Sequence, residues 1–280
     1  MTVRIVTDSA CDLRGDEVEA FGIEVVGLSI RFGDTEYVDR DELAVADFYR
    51  LLAESDTLPE TAAPSPGQFT EAFRRQLDAG ADAVVCINMS AALSATMQSA
   101  QTAADGLREE SPDIDIRVID SCSITAGSGR SCSNRRMAEE ASADEIEQAV
   151  AAMSSRTRVF GALDTLEYLK KGGRIGGAQA LVGSMLAIKP ILDLSSGSVE
   201  EAAKQRTRKK ALAWLRDQLV SAGPVEHLAV MHGAAPDTTS SRDDRRRGRR
   251  RSHPRRDDRS RDRDHGGPRV MGLAYQLPAG

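Results

Sequence analysis

The chain is poor in the residues that most enzymes and metal proteins lean on. Its four cysteines, Cys11, Cys86, Cys122 and Cys132, form no CxxC pair and share no metal-ligand spacing with its four scattered histidines, which excludes the common zinc patterns. Aromatic residues make up only 4% of it, with a single tryptophan, whereas a nucleic-acid protein usually clusters cations beside aromatics on a folded face. No apolar run reaches about 18 residues, and there is no membrane span or secretory leader pattern. A reduced, cytoplasmic setting is the expectation.

What is present is a 40% apolar fraction over 280 residues, enough for two modest domains with real cores. The net charge of −6 conceals an imbalance, because 242–264 holds twelve arginines and six aspartates and leaves −12 for the rest. That block has no aliphatic side chain apart from Pro254. A segment so charged cannot bury enough surface to offset its ordering entropy, so 238–264 is expected to be disordered.

Periodicity organises the remainder. Val3–Val6 reads as a buried strand stopping at Thr7-Asp8-Ser9, and Ile23–Phe32 as one long strand turned by Gly33-Asp34 into a hairpin with Glu36–Val38. Leu43–Ala53 has helical spacing. Ser65-Pro66-Gly67-Gln68 is a helix start, with a capping hydroxyl, proline at the first position and glutamine three residues after the cap. Ala83–Ile87 and Ile116–Ile119 read as strands, Thr96–Leu107 and Ala143–Ser154 as helices. This alternation argues for a parallel sheet covered on both faces, with ligands beyond the carboxyl ends of its strands. Asp8-Ser9, Asn88–Ser94 and Asp120-Ser121 all fall there. Ser128–Arg136 breaks the pattern, since a covering helix belongs there and the segment has no apolar stripe.

The second half begins near Arg158. Leu166–Lys171 reads as a helix stopped by Gly172-Gly173, Ile191–Leu194 and Ser198–Glu201 as a hairpin, Arg206–Leu219 as an amphipathic helix and Leu228–Met231 as a strand. Several features invite chemistry and are better read without it. Gly172–Gly177 lacks the phosphate-loop pattern and follows a helix. Asp8, Asp120 and Asp164 have no spacing that fixes a metal, so no metal site is expected. Cys122 reads as a buried small residue, and His227 and His232 as flanks of a strand with no chemical role.

Seven stretches together resemble the DegV family of bacterial fatty-acid-binding proteins. They are VRIVTDSACDL at the start, LPETAAPSPGQF at Leu58–Phe69, SAALSATMQSA at Ser90–Ala100, VIDSCSITAG at Val118–Gly127, Leu163–Leu192, KQRTRKKAL at Lys204–Leu212 and HGGPRVMGLAY at His265–Tyr275. The resemblance implies a DegV-like two-domain α/β fold. Residues 1–155 are expected as an N-terminal three-layer α/β/α domain with a parallel sheet, and 156–280 as a C-terminal two-layer α/β domain with a mixed sheet. It implies a carrier without catalytic residues or cofactor, which binds a long-chain fatty acid between its domains and presents the carboxylate to a fatty acid kinase subunit.

Carried over residue by residue, the resemblance assigns the carboxylate to Thr61, Ser94 and His265 and the kinase contact to Arg206. Ala62 stands where the family has serine, while Ala95 and Arg269 replace glycines of two turns. Those two replacements are expected to weaken turns that call for positive φ. Hydroxyls and an imidazole hold a carboxylate without locking it in an arginine fork. Burying a sixteen-carbon tail offers on the order of 10 kcal/mol gross, at about 0.8 per methylene, before association costs. Ala180–Ile188 reads equally as tunnel wall or as core.

Family-like residues resume abruptly at His265, and a compensating pair of frameshifts in GC-rich coding sequence accounts for the arginine run. The same account fits Ser128–Arg136. On that reading Leu228–Met231 loses a strand partner and Val270–Tyr275 is a short tail that fails to dock. Two other readings stay open: a nucleic-acid-associated protein using Arg242–Arg263 as an arm, with steep salt dependence, and a hydrolase or transferase using Ser94 and His265.

Overall fold

The computed structural model describes residues 2–132, 141–234 and 268–279. It divides into two compact units, one of Met1–Thr157 with Leu194–Ser198 and one of Arg158–Asp193 with Val199–Gly280. The arginine block and His265 lie outside the described residues.

The first unit is built on a four-stranded parallel sheet, ordered β2-β1-β6-β7, from β1 (Val3–Asp8), β2 (Glu24–Val26), β6 (Ala83–Asn88) and β7 (Asp115–Asp120). β6 is buried along its whole length, as a strand covered on both faces must be. Side-chain alternation assigns the faces. Val6, Val84 and Cys86 pack with Phe69, Ala72 and Phe73 of α3 (Pro66–Asp78) and with Ala100, Ala103 and Leu107 of α4 (Thr96–Glu110). Ile5, Val85 and Ile87 pack on the opposite face with Ile146, Val150 and Met153 of the helix Ala143–Arg156, and with Val18 and Phe21 of α1 (Gly15–Phe21). Each fully buried phenylalanine contributes about 1.5–3 kcal/mol relative to exposure. The α3 start matches its sequence signal: Ser65 Oγ accepts from the Gln68 amide at 3.3 Å, and Gln68 Oε1 accepts from the Ser65 amide at 2.9 Å.

The long strand expected over Ile23–Phe32 is two strands. β3 (Ser29–Phe32) leaves the parallel sheet and forms a second, antiparallel one, ordered β4-β3-β5, with β4 (Thr35–Val38) and β5 (Glu60–Ala62). Gly27 marks the break. A Cβ there would stand 2.6 Å from Val38 Cγ1 and 3.0 Å from the Asp39 carbonyl oxygen, so only glycine lets the chain turn between the sheets. Ile30, Leu43 and Phe48 form a small separate core under α2 (Val45–Glu54), where Phe48 meets Phe32 and Tyr49 edge to face.

The break expected at Ser128–Arg136 is also only partial. α5 (Thr125–Cys132) is a helix despite its lack of an apolar stripe, and it packs by smallness. A Cβ on Gly129 would approach the Cys11 carbonyl oxygen to 2.2 Å. Residues 133–136 lie outside the described residues. The helix Ala143–Arg156 that follows is α6, entered through a capping box between Ser142 and Glu145.

In the second unit five strands run in the order β10-β9-β8-β12-β11: β8 (Thr157–Ala162), β9 (Lys189–Asp193), β10 (Glu200–Gln205), β11 (His227–His232) and β12 (Met271–Gln276). The pairs β8–β9, β9–β10 and β11–β12 are antiparallel. α7 (Glu167–Lys171) ends at Gly172-Gly173, with Gly173 at φ +72. α8 (Arg208–Ala222) places Ala211 and Leu215 against Phe160, Leu273 and Tyr275, with Trp214 edge to face on Phe160 at 5.5 Å.

The expected undocked tail is therefore corrected. β12 pairs with β11 in a six-residue register from His227↔Gln276 to His232↔Met271, and all six of its residues are buried. The reason lies in its own sequence, since MGLAYQ supplies Met271, Leu273 and Tyr275 to the core face and needs no flanking block to do so. The glycine run at Gly172–Gly177 is likewise a packing feature, because a Cβ on Gly176 would meet the Val199 carbonyl oxygen at 2.6 Å.

Candidate ligand site

The three polar clusters at the carboxyl ends of β1, β6 and β7 are knitted into one network. Asp8 is fully buried and accepts from the Met89 amide at 2.8 Å, from Asn88 Nδ2 at 3.2 Å and from the Ala10 amide at 3.0 Å. Burial pushes its pKa above the ordinary value, and these donors oppose that rise. Asp120 accepts from the Cys122 amide at 2.7 Å and the Ala91 amide at 3.2 Å. The Ser121 amide donates to the Asn88 carbonyl at 3.0 Å, and Ser154 of α6 donates its hydroxyl to the Ser121 carbonyl at 2.7 Å. Two aspartates thus serve as fixed acceptors that shape the loops, and among the described residues no group of His, Cys, Asp and Glu could hold a metal ion.

Ser94 projects from this network, half-buried, two residues before α4. Its amide donates to the Ser90 carbonyl at 3.2 Å, its Oγ accepts from the Thr96 amide at 3.3 Å, and its hydroxyl lies 2.8 Å from Thr96 Oγ1. A hydroxyl at the start of a 15-residue helix sits at the positive end of the helix dipole, where an anionic group is favoured. Ala95 has φ −76 and ψ 4, a negative-φ backbone that does not call for glycine, which corrects the expectation of a positive φ at this turn.

Thr61 occupies the middle of β5, opposite Ile30, and is half-buried between exposed Glu60 and Ala62. It belongs to the same unit as Ser94. Arg206 is exposed immediately before Thr207, whose side chain caps α8 by accepting from the Lys210 amide at 3.3 Å. His265 lies outside the described residues. At the turn that follows it, Arg269 adopts φ +65, so this turn does call for the positive φ that glycine reaches most cheaply.

Cys122 differs from its reading as a buried residue: it is exposed, at φ +48. Its thiol is nonetheless pushed up by partial desolvation and by the Asp120 carboxylate, the wrong direction for a nucleophile. Two residues carried no signal in the sequence beyond turn chemistry, Ser90 and Gly197. The hydroxyl of the first donates to the carbonyl of the second at 2.6 Å. Their pairing spans 107 positions, and no local pattern announces it.

Residues 2–255 match the model of a family described as "Uncharacterised protein, DegV family". A DegV domain-containing protein of Streptomyces coelicolor is 37% identical over 253 residues, covering 88% of this chain and 87% of its own. Among solved structures, one described as fatty acid binding of a DegV family protein from Thermus thermophilus superposes with a TM-score of 0.82 at 29% identity, covering 99% of this chain and 100% of its own. DegV of Bacillus subtilis, described as a fatty acid binding protein, superposes with a TM-score of 0.81 at 25% identity over 99% of this chain and 100% of its own.

Proposed function

The chain belongs to the DegV family, and from that premise we propose that it is a carrier that binds one long-chain fatty acid, with Thr61 and Ser94 as hydroxyl donors to the carboxylate. The observation that carries the reading is Ser94 itself, a half-buried hydroxyl held at the start of α4 by the Ser90 carbonyl and Thr96. The description of the Thermus thermophilus relative as fatty-acid-binding supports it.

The chemistry is that of a reversible grip. Hydroxyl donors and a helix start stabilise a carboxylate without a fixed cation, so one oxygen stays available to attack a phosphoryl donor. In this reading a partner kinase makes the acyl phosphate, and the carrier supplies no catalytic residue. His265 completes the carboxylate ligands by resemblance, and exposed Arg206 on KQRTRKKAL is the contact for the kinase subunit. The setting is cytoplasmic. Among the described residues no helix is long and apolar enough to cross a membrane.

The test is mass spectrometry of lipid extracted from folded protein purified from bacteria. One long-chain fatty acid per chain is expected. Folded protein whose denatured extract holds none overturns the proposal.

A further inference from the structure

Ser90 lies outside the proposed ligand set, yet the turn that carries Ser94 is shaped through it. Its carbonyl accepts from the Leu93 and Ser94 amides at 3.1 and 3.2 Å, and its amide donates to the Ser123 carbonyl at 2.8 Å. Its hydroxyl accepts from the Ala92 amide at 3.2 Å and donates to the Gly197 carbonyl at 2.6 Å. Ser90 is 2% exposed and its bond to the Gly197 carbonyl is buried, where a missing partner is costly.

Gly197 is equally constrained. It sits in Leu194–Ser198, the turn between β9 and β10 that belongs to the first unit, at φ +83. A Cβ there would stand 2.8 Å from Ser90 Oγ and 3.1 Å from the Cys122 carbonyl oxygen. Any side chain at 197 therefore presses directly on the hydroxyl that orients Ser90.

We infer that Ser90 and Gly197 are positioning residues for the Ser94 hydroxyl: the Ser90–Gly197 bond sets the orientation of Ser90, whose carbonyl in turn fixes the Ser94 backbone. The inference rests on the reading of Ser94 as a carboxylate ligand for its effect on affinity, but not for its effect on the turn.

The experiment uses the full chain with Ser90→Ala, Gly197→Ala, Ser94→Ala and the Ser90→Ala/Ser94→Ala double variant. It measures amide hydrogen exchange and affinity for palmitate. Ser90→Ala is expected to speed exchange at Leu93 and Ser94 by about two- to tenfold, the worth of one hydrogen bond. Protection in β1 and β6 should be unchanged, and palmitate affinity should fall by a similar factor. Gly197→Ala should reproduce both effects, and if it fails to fold, Ser90→Ala alone decides. In the Ser94→Ala background, removing the Ser90 hydroxyl should cost no further affinity, because its effect acts through Ser94. Unchanged exchange at Leu93 and Ser94, a uniform loosening that includes β1 and β6, or additive losses of affinity would each overturn the inference. If the unaltered chain binds no palmitate and its denatured extract holds no long-chain fatty acid, the carrier proposal fails by itself, while the exchange measurement still decides the positioning role.

Discussion

Arg269 places its Nε 2.9 Å from Asp164 Oδ2, joining positions 105 residues apart. Asp164 also draws Lys189 Nζ to 3.3 Å and Arg208 Nη1 to 3.6 Å. Arg208 in turn donates to the Arg269 carbonyl at 2.6 Å, and the Arg269 amide donates to the Gly233 carbonyl at 2.5 Å. A residue with positive φ is thus held on its backbone and its side chain at once, and this is how the turn before β12 tolerates arginine in place of glycine.

That arrangement separates two effects. The left-handed backbone costs a non-glycine residue about 1–2 kcal/mol, whereas an ion pair on a side chain 48% exposed returns about 0.2–1 kcal/mol. Arg269→Ala keeps the strain and loses the pair, while Arg269→Gly loses both. The glycine variant is expected to be the more stable of the two by about 1 kcal/mol and to lie within about 1 kcal/mol of the parent. Urea midpoints measure this. Equal stability of the two variants would show that the positive φ carries no strain.

Ser94→Ala and Thr61→Ala are each expected to weaken fatty-acid binding by about 0.5–1.5 kcal/mol, or up to about 3 where the acceptor is charged. Binding of a neutral, alkane-like dye should change little. Titrations of both ligands on the same preparations make the comparison. Equal losses would mean that the hydroxyls support only the fold.

Gly129→Ala tests how α5 packs. With the Cys11 carbonyl oxygen 2.2 Å from the added methyl, backbone must move, since no flexible side chain can yield. Overpacking of this kind costs about 1–3 kcal/mol. Gly106→Ala on α4, where nothing lies within 4 Å of the added Cβ, is the control and should be neutral or stabilising. Thermal midpoints of the two variants should separate clearly, and coincident values would contradict the close approach.

The cysteines should divide by reactivity and by pH. Burial pushes the Cys11 thiol up from 9.0 to about 11, so the folded state keeps a proton that the unfolded chain releases between those values. The contribution of Cys11 to stability is whole below pH 9 and falls as pH rises toward 11. A Cys11→Ala variant should lose less stability than the parent over that interval. Peptide mapping after brief alkylation of native protein at pH 8 should find Cys122 modified, with Cys11 and Cys86 protected. Early modification of Cys11 would contradict its burial.

Local chemistry was enough to read much of this protein from its residues. The capping box at Ser65 and Gln68, the two-residue turn at Gly33-Asp34 and the buried run Ala83–Ile87 each depend on neighbours in sequence, and each element formed where its pattern stood. The polar clusters at the strand ends were legible for the same reason, because a parallel sheet brings the carboxyl ends of its strands to one edge whatever the loops contain. Tertiary structure decided what depends on partners distant in sequence. Gly27 splits a strand because Val38 and Asp39 fold back over it, and α5 forms without an apolar stripe because Cys11 offers backbone to pack against. β12 docks because β8 and β11 leave a place between them for its three apolar side chains. Ala95 escapes the strain that Arg269 bears because their backbones differ in the sign of φ, which substituting one residue for glycine does not reveal. Ser90 finds Gly197 only once the chain has folded, and on that contact depends the placing of Ser94.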